Sequence, residues 1–357
     1  MADAPAPSTW AHTESREDHV RYRMLGARLR VSAVGFGGMG LAALPASTRQ
    51  AVVGESLDRG VTLFDTADYY GQGADEEALG RALGRRHAEA VVSTKTGVVH
   101  RADGPARLDA TPAGIFAACD GSLKRLGVER IGLYLLARVD PAVPIEDSAG
   151  AMAELVAAGK VDAVGLCEAS PDTVRRAHAV HPIAALQTEY SLLERGPEQG
   201  ALDVCEELGV GFVAYRPLCL GLLARGPLDP AAWTPGDRRR RDPRFQGANL
   251  AENLRTAAGL AEPGSRFGLP PATAALAWVL SRGESVVALP GTLRRDHAAQ
   301  NAEAAAAALS QEQLDQLTAL FPPGCASGER YARGLMAMID GYGAAGTAGP
   351  AVQEASA

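Results

Sequence analysis

The chain predicts an α/β fold, a (β/α)8 TIM barrel folded as a single domain behind an N-terminal β-hairpin. Three observations carry that expectation. Eight short β-branched or apolar runs recur at intervals of a few tens of residues, and helix-compatible stretches fill the gaps between them, the alternation of a parallel sheet with crossover helices. The chain has 357 residues, 46% of them apolar, enough for one large core. Barrels of this kind commonly reach about 250 residues as one unit.

Taken in order, residues 1–19 mix Pro, Ala, Ser and charge and read as a disordered tail. The barrel domain is expected over 20–342, and the Gly/Ala-rich residues 343–357 read as a second tail. The paired segments 22–25 and 29–31 around Gly26 suggest a short hairpin that plugs the barrel floor. The strand-like runs are 31–35, 61–64, 90–93, 131–136, 163–166, 184–187, 211–214 and 285–288, each too short for a helix. Helix 48–59 opens at Ser47 or Thr48, and 75–83 carries its acids in the first turn. Helix 111–126 has Pro112 at its first position, and 146–158 stops at Gly159. Segments 171–180, 197–208, 271–281 and 311–321 complete the count of eight.

Composition narrows the function. A net charge of −7 argues against nucleic acid as a default partner. No stretch approaches 18 uncharged apolar residues, so no membrane span is expected, and the N-terminus lacks a positively charged and an apolar targeting region. Cys119, Cys167, Cys205, Cys219 and Cys325 are scattered, odd in number and without CxxC spacing, which suits a reducing cytoplasm and no metal site. Nothing in the sequence sets an oligomeric state.

Two motifs compete for the chemistry. Gly35-Phe-Gly37-Gly-Met-Gly40 satisfies G-x-G-x-x-G after a strand, with Asp65 where a ribose acid would stand. Pro45 interrupts the segment where the helix should emerge, and eight-fold alternation exceeds one nucleotide-binding half, so the barrel is preferred. The other motif is Asp65-Thr-Ala-Asp-Tyr-Tyr70-Gly71 followed by Lys95 at the end of the next apolar run. A tyrosine donates a proton near neutral pH only when a cation lowers its pKa from about 10. Lys95 would supply that cation and Asp65 would hold it charged and oriented. In a barrel, residues just past the strand ends share one mouth. Asp65, Tyr70, Lys95, Cys167, Glu168, Gln187, Tyr215 and Thr292 are so placed.

The pattern resembles the aldo-keto reductase family from about Val20 to Ala337. Residues 60–71, Val164-Gly-Leu-Cys-Glu-Ala-Ser170, Gln187-Thr-Glu-Tyr-Ser191, Val213-Ala-Tyr-Arg-Pro-Leu218 and Leu289-Pro-Gly-Thr292 look like successive signatures of its bacterial members. The resemblance implies an NADP(H)-dependent oxidoreductase acting on a small-molecule carbonyl or enone, with Tyr70 as proton donor beside Asp65 and Lys95. It implies a nicotinamide stacked on Tyr215, its carboxamide at Cys167, Glu168 and Gln187. The pyrophosphate would lie under Arg216, Pro217, Leu218 and Gly221, and the adenine end would reach Thr292, Arg294, His297, Gln300 and Asn301. Arginines 294 and 295 there favour the extra phosphate of NADPH. Substrate would enter beside Tyr69 and Ala137.

Departures from the family pattern crowd the same mouth. The fourth strand ends Leu136-Ala137 where the resemblance implies a glutamine and a histidine, and alanine donates nothing. Loss of such a partner costs roughly 10²–10⁴ in rate. Cys167, Arg216, Cys219-Leu220 and Leu293 also differ. A specialised, bulky or unsaturated substrate is one reading, since a changed histidine accompanies C=C reduction in related proteins. An ordinary reductase is another, and a nucleotide-binding barrel without redox chemistry a third. The run Arg238-Arg-Arg-Arg241 reads as part of a solvated lid over the cofactor.

Overall fold

The computed structural model describes residues 21–101, 104–224 and 228–341. Both expected tails lie outside them. Eight parallel strands form the barrel: β1 (Phe36–Gly37), β2 (Leu63–Asp65), β3 (Val91–Thr96), β4 (Ile131–Leu136), β5 (Val161–Cys167), β6 (Ala185–Glu189), β7 (Gly211–Tyr215) and β8 (Val286–Leu289). They pair in chain order, and parallel bridges Val34–Ala288 and Gly37–Gly291 join β1 to β8 and close the ring. The helices are α1 (Ala46–Asp58), α2 (Ala74–Leu83), α3 (Pro112–Leu126), α4 (Ile145–Ala157), α5 (Pro171–Val180), α6 (Ala201–Leu208), α7 (Gly247–Ala258), α8 (Ala261–Arg266), α9 (Pro271–Leu280), α10 (Arg295–Glu303), α11 (Gln311–Leu320) and α12 (Arg333–Met336).

The first barrel strand differs from the sequence expectation. Residues 29–32 belong to the hairpin, where they pair with Tyr22–Leu25, and the barrel strand begins only at Phe36. The apolar run is continuous because both halves are buried, so hydrophobicity alone does not mark the break. The glycines of the apparent nucleotide fingerprint serve the seam instead. A Cβ at Gly37 would lie 3.1 Å from Gly291 Cα, and a Cβ at Gly35 2.9 Å from Leu289 Cδ1. Their absence of side chains lets β1 close on β8.

Strand side chains alternate in direction, and the two resulting faces are two hydrophobic clusters. Outward residues such as Phe64, Tyr134, Leu166 and Phe212 pack under the helices. Inward residues Leu63, Leu133, Leu135, Val213, Val287 and Leu289 join Leu25, Leu29 and Val31 of the hairpin. The hairpin therefore fills the floor. A Cβ at Gly211, which opens β7, would sit 2.3 Å from Leu25 Cδ1's sister methyl Cδ2 and 2.8 Å from Leu25 Cα. With the floor closed, polar inward positions are left to the opposite, C-terminal end of the strands. A second antiparallel hairpin, Val98–Arg101 with Gly104–Leu108, rises there after β3, and no sequence signal had marked it.

Candidate active site

Period two along the strands assembles the site. Asp65 lies two residues beyond inward Leu63, Lys95 two beyond Ser93, Ala137 two beyond Leu135, and Tyr215 two beyond Val213. Cys167, Gln187 and Glu189 share the same parity, so all project into the C-terminal mouth. Asp65 is the hub. It accepts hydrogen bonds from Lys95 Nζ, from Ser93 Oγ at 2.9 Å and from Gln187 Nε2 at 3.0 Å across the barrel. Lys95 also donates to the Thr66 carbonyl at 2.8 Å and is fully buried. Burial alone would lower the pKa of that ammonium, but the charge of Asp65 and the nearby Tyr70 outweigh it, and the net direction is upward.

Tyr70 comes from the loop after β2, where a short 3-10 turn, Tyr70–Gly73, carries left-handed backbone at Gly71 and Gln72. Lys95 Nζ lies 5.4 Å from the centre of its ring. Tyr69 packs edge-on against Tyr70 with centroids 5.0 Å apart. Both rings line a cleft of about 370 Å³ shared with Met39, Ala42, His100 of the mouth hairpin and Arg238. The loop between β1 and α1 that forms one wall is pinned by Asp75, whose carboxylate accepts the backbone N–H groups of Gly40 and Ala42 at 2.7 Å each. Behind the strands, buried Glu76 on α2 accepts from Thr94 Oγ1 and Arg125 Nε, both at 2.6 Å.

On the other side of the mouth, Glu168 follows β5 with φ 53° and is buried among donors. Arg330 reaches it through both terminal nitrogens at 2.9 and 3.0 Å, Tyr215 donates its hydroxyl at 2.7 Å, and the Glu189 N–H adds 2.9 Å. Burial pushes this carboxyl up, the Arg330 charge and hydrogen bonds pull it down, and the net shift is downward. Tyr215 Oη also lies 2.6 Å from Tyr331 Oη. Burial pushes the Cys167 thiol up to about 11. Arg216 turns toward Glu189 at 3.3 Å and Asp242 at 3.2 Å, while Arg244 pairs with Glu194 at 2.6 Å. Among the described residues the only non-glycine positive φ values are at Gln72, Glu168, Arg216, Cys219 and Leu220, all on mouth loops. Each costs of order 1–3 kcal/mol, and such strain concentrates where position matters more than stability.

The structure thus gathers Asp65, Tyr70, Lys95, Gln187, Cys167, Glu168 and Tyr215 at one mouth, with Tyr69 and Ala137 beside them. Pro217, Leu218 and Gly221 follow β7 on the same rim. Thr292, Arg294, His297, Gln300 and Asn301 stand after β8 on and before α10. Arg294 precedes the first turn of α10 and is exposed, pairing with Asp296 at 2.6 Å, and Arg295 pairs with Glu55 at 2.7 Å. Sequence reasoning missed Arg138, Glu189, Arg330 and Tyr331. Arg138 adjoins a residue already singled out and could have been found by that adjacency. Arg330 and Tyr331 lie in a loop without periodicity, and nothing local announces their contact with β5 and β7. Among the described residues no group of three or more His, Cys, Asp or Glu could hold a metal, and no helix is long and apolar enough to cross a membrane.

Comparison with known proteins agrees with this geometry. Residues 33–321 match the aldo/keto reductase family model. A probable aldo-keto reductase of Glycine max is 39% identical over 312 residues, covering 85% of this chain and 90% of the relative. Among solved structures, a glycerol dehydrogenase from Gluconobacter oxydans superposes with a TM-score of 0.77 at 29% identity, over 86% of this chain and 97% of that one. An aldo/keto reductase from Klebsiella pneumoniae, solved in complex with NADP and acetate, gives a TM-score of 0.68 at 27% identity over 86% and 97%.

Proposed function

The chain belongs to the aldo/keto reductase family, and from that premise we propose that it is an NADP(H)-dependent oxidoreductase that reduces a small-molecule carbonyl or conjugated enone with Tyr70 as proton donor. The observation that supports this reading best is the buried set Asp65, Lys95 and Gln187 under Tyr70 at the mouth. The residues present fit the cofactor. Tyr215 offers a ring whose hydroxyl is tied to Glu168 and Tyr331, so its plane is held before anything stacks on it. Gln187 spends its amino group on Asp65 and keeps its carbonyl oxygen to accept from a carboxamide. When bound, the reduced nicotinamide supplies the hydride.

The protein's own part is proton delivery and positioning. As the carbonyl oxygen gains negative charge, the Tyr70 hydroxyl gives it a proton. The phenolate left behind is stabilised by the Lys95 ammonium, kept charged by Asp65. Ser93 and Gln187 occupy the other Asp65 oxygen, which fixes the carboxylate and so the ammonium. Ala137, after β4, contributes no side-chain donor, so proton delivery rests on Tyr70 from the loop after β2. That absence also favours a second reading, reduction of the C=C bond of an enone. The NADP(H) phosphates would meet Arg216, Pro217, Leu218 and Gly221 on one side. Thr292, Arg294, His297, Gln300 and Asn301 would take the adenosine end. Exposed pairs such as Arg294 with Asp296 are worth little and exchange easily for a phosphate.

The test has two arms. NADPH fluorescence titration should show saturable binding, and an aldehyde, ketone and enone panel should show consumption of NADPH. Tyr70→Phe, which deletes one oxygen, should lower kcat by roughly 10²–10⁴ with NADPH affinity retained. Full turnover by Tyr70→Phe would show that another group delivers the proton.

A further inference from the structure

Arg138 follows Ala137 at the end of β4 and is the exception in the charge pattern of the mouth. Its Nη1 donates to the Ala137 carbonyl at 2.6 Å and approaches Cys167 Sγ at 3.6 Å. It pairs with no carboxylate among the described residues. The other cations around it do: Lys95 with Asp65, Arg216 with Glu189 and Asp242, Arg244 with Glu194, and Arg330 with Glu168. Glu168, the acid on which its charge acts, is instead held by Arg330 twice, the Tyr215 hydroxyl and a backbone N–H.

The surroundings of Arg138 deepen the contrast. The groups that act on it most strongly after desolvation are Cys167, Tyr215, Tyr331 and Tyr69. None of these is an anion at neutral pH. A thiol held up at about 11 and phenols held above their ordinary range by burial are all neutral there. The Glu168 carboxylate also acts on it electrostatically but forms no ion pair with it, so this half-buried guanidinium lacks the contact counter-ion that the neighbouring cations have. Its position is also specific. Tyr69 lines the cleft with Tyr70, and Tyr215 stands at the end of β7, so the neighbours of Arg138 include both the proton donor's wall and the ring on which the cofactor is proposed to stack.

We propose that Arg138 is a substrate-recognition residue and that the substrate is a carbonyl compound carrying a carboxylate, which supplies the counter-ion the protein withholds. Guanidinium presents paired N–H donors in a fixed fork, and a carboxylate is the small anion that matches it. The proposal rests on the reductase reading for where the carbonyl sits, and names the substrate class of that site.

The test uses a matched pair, para-carboxybenzaldehyde and para-carbamoylbenzaldehyde, with the same aldehyde and ring but a charged or a neutral substituent. With NADPH and the full-length protein, the acid should exceed the amide in kcat/KM by roughly 10–100-fold, the value of a hydrogen bond to a charged group. Arg138→Met should bring that ratio to about one, and Arg138→Lys should restore part of it. A ratio unchanged in Arg138→Met, or a wild-type preference for the amide, overturns the proposal. NADPH affinity checks that the variants fold, and if Arg138→Met does not, the wild-type ratio and Arg138→Lys still decide. Should neither aldehyde turn over, the reductase reading is at fault. Titration of the NADPH complex with benzoate against benzamide then tests Arg138 by itself. Tighter benzoate binding that Arg138→Met removes supports the anion site, and equal binding sinks it.

Discussion

Asp68 stands two residues before Tyr70 and is held by its backbone N–H to the Lys95 carbonyl at 3.1 Å, while its own Oδ1 finds no hydrogen-bond donor. Burial is the main reason its pKa rises to about 7 from 3.8, and the charge of Glu76 adds to it; Thr96, Arg125 and the Tyr69 N–H pull the other way. The sign of the stability effect follows. The folded state holds this proton more tightly than the unfolded chain, so ionising Asp68 costs stability. The cost is absent below about 4, grows as pH rises toward 7 and is constant above. Asp68→Asn removes the titration and keeps the shape. Its stability relative to wild type should therefore climb between pH 4 and pH 8, by at most ~4 kcal/mol and by less because the group is partly exposed. Urea unfolding at several pH values reads this, and a flat difference curve would show that Asp68 is not perturbed. At this scale the sequence was a good guide to identity. Asp65 and Lys95 were legible because strand period fixes their direction, and Tyr70 because it stands five positions past Asp65 in a motif with a recognisable pattern. The environment of Asp68 was not, because burial and the proximity of Glu76 on α2 arise only from packing.

The elements show the same division. Helices α2, α3 and α5 start within a residue of where caps, acids and Pro placed them, since those signals are local. Helices α7 and α10 went unread: both open without a side-chain cap, and α10 also carries few apolar residues and no strong apolar stripe. The floor hairpin was legible as paired runs around Gly26, yet how tightly it docks was not. Gly26 adopts φ +57° and a Cβ there would lie 2.9 Å from Ala184 Cα, while Gly211 faces Leu25 backbone at 2.8 Å. Gly211 itself has no positive-φ requirement, so a substitution there tests packing alone. Gly211→Ala should force the hairpin away from the floor and lower stability by about 1–3 kcal/mol. The thermal midpoint checks it, with limited proteolysis between residues 22 and 32 as the local readout. Unchanged stability and unchanged cleavage would mean that the hairpin is not seated on β7.

Across the whole molecule, the segment after α11 returns over the mouth and fastens α7 and the C-terminal ends of β5 and β7. Ser327 N–H donates to Asn253 Oδ1 of α7 at 2.7 Å, Arg330 holds Glu168, Tyr331 meets Tyr215, and the Ser170 N–H donates to Asp340 Oδ2 at 2.9 Å. None of this could be read along the chain, because the partners are separated by 74 to 170 positions and no repeat or period links them. The strap's central fastening is a buried ion pair, so removing one side should cost more than the pair is worth. Arg330→Met leaves the buried Glu168 carboxylate without its paired cation, with the Tyr215 hydroxyl and the Glu189 N–H as hydrogen-bond donors and the unpaired charge of Arg138 nearby, and should lose about 3–5 kcal/mol at neutral pH. Adding Glu168→Gln removes the stranded charge and should recover most of that loss, giving a positive coupling in a double-mutant cycle. The pH dependence gives an independent check. Glu168 is held below its ordinary 4.5 in the folded state, so the pair's contribution is complete above that value and fades as pH falls through the depressed pKa. The difference between wild type and Arg330→Met should accordingly shrink in acid. Additive single-site losses with no pH dependence would show that the strap is held by its backbone and by Tyr331 rather than by charge.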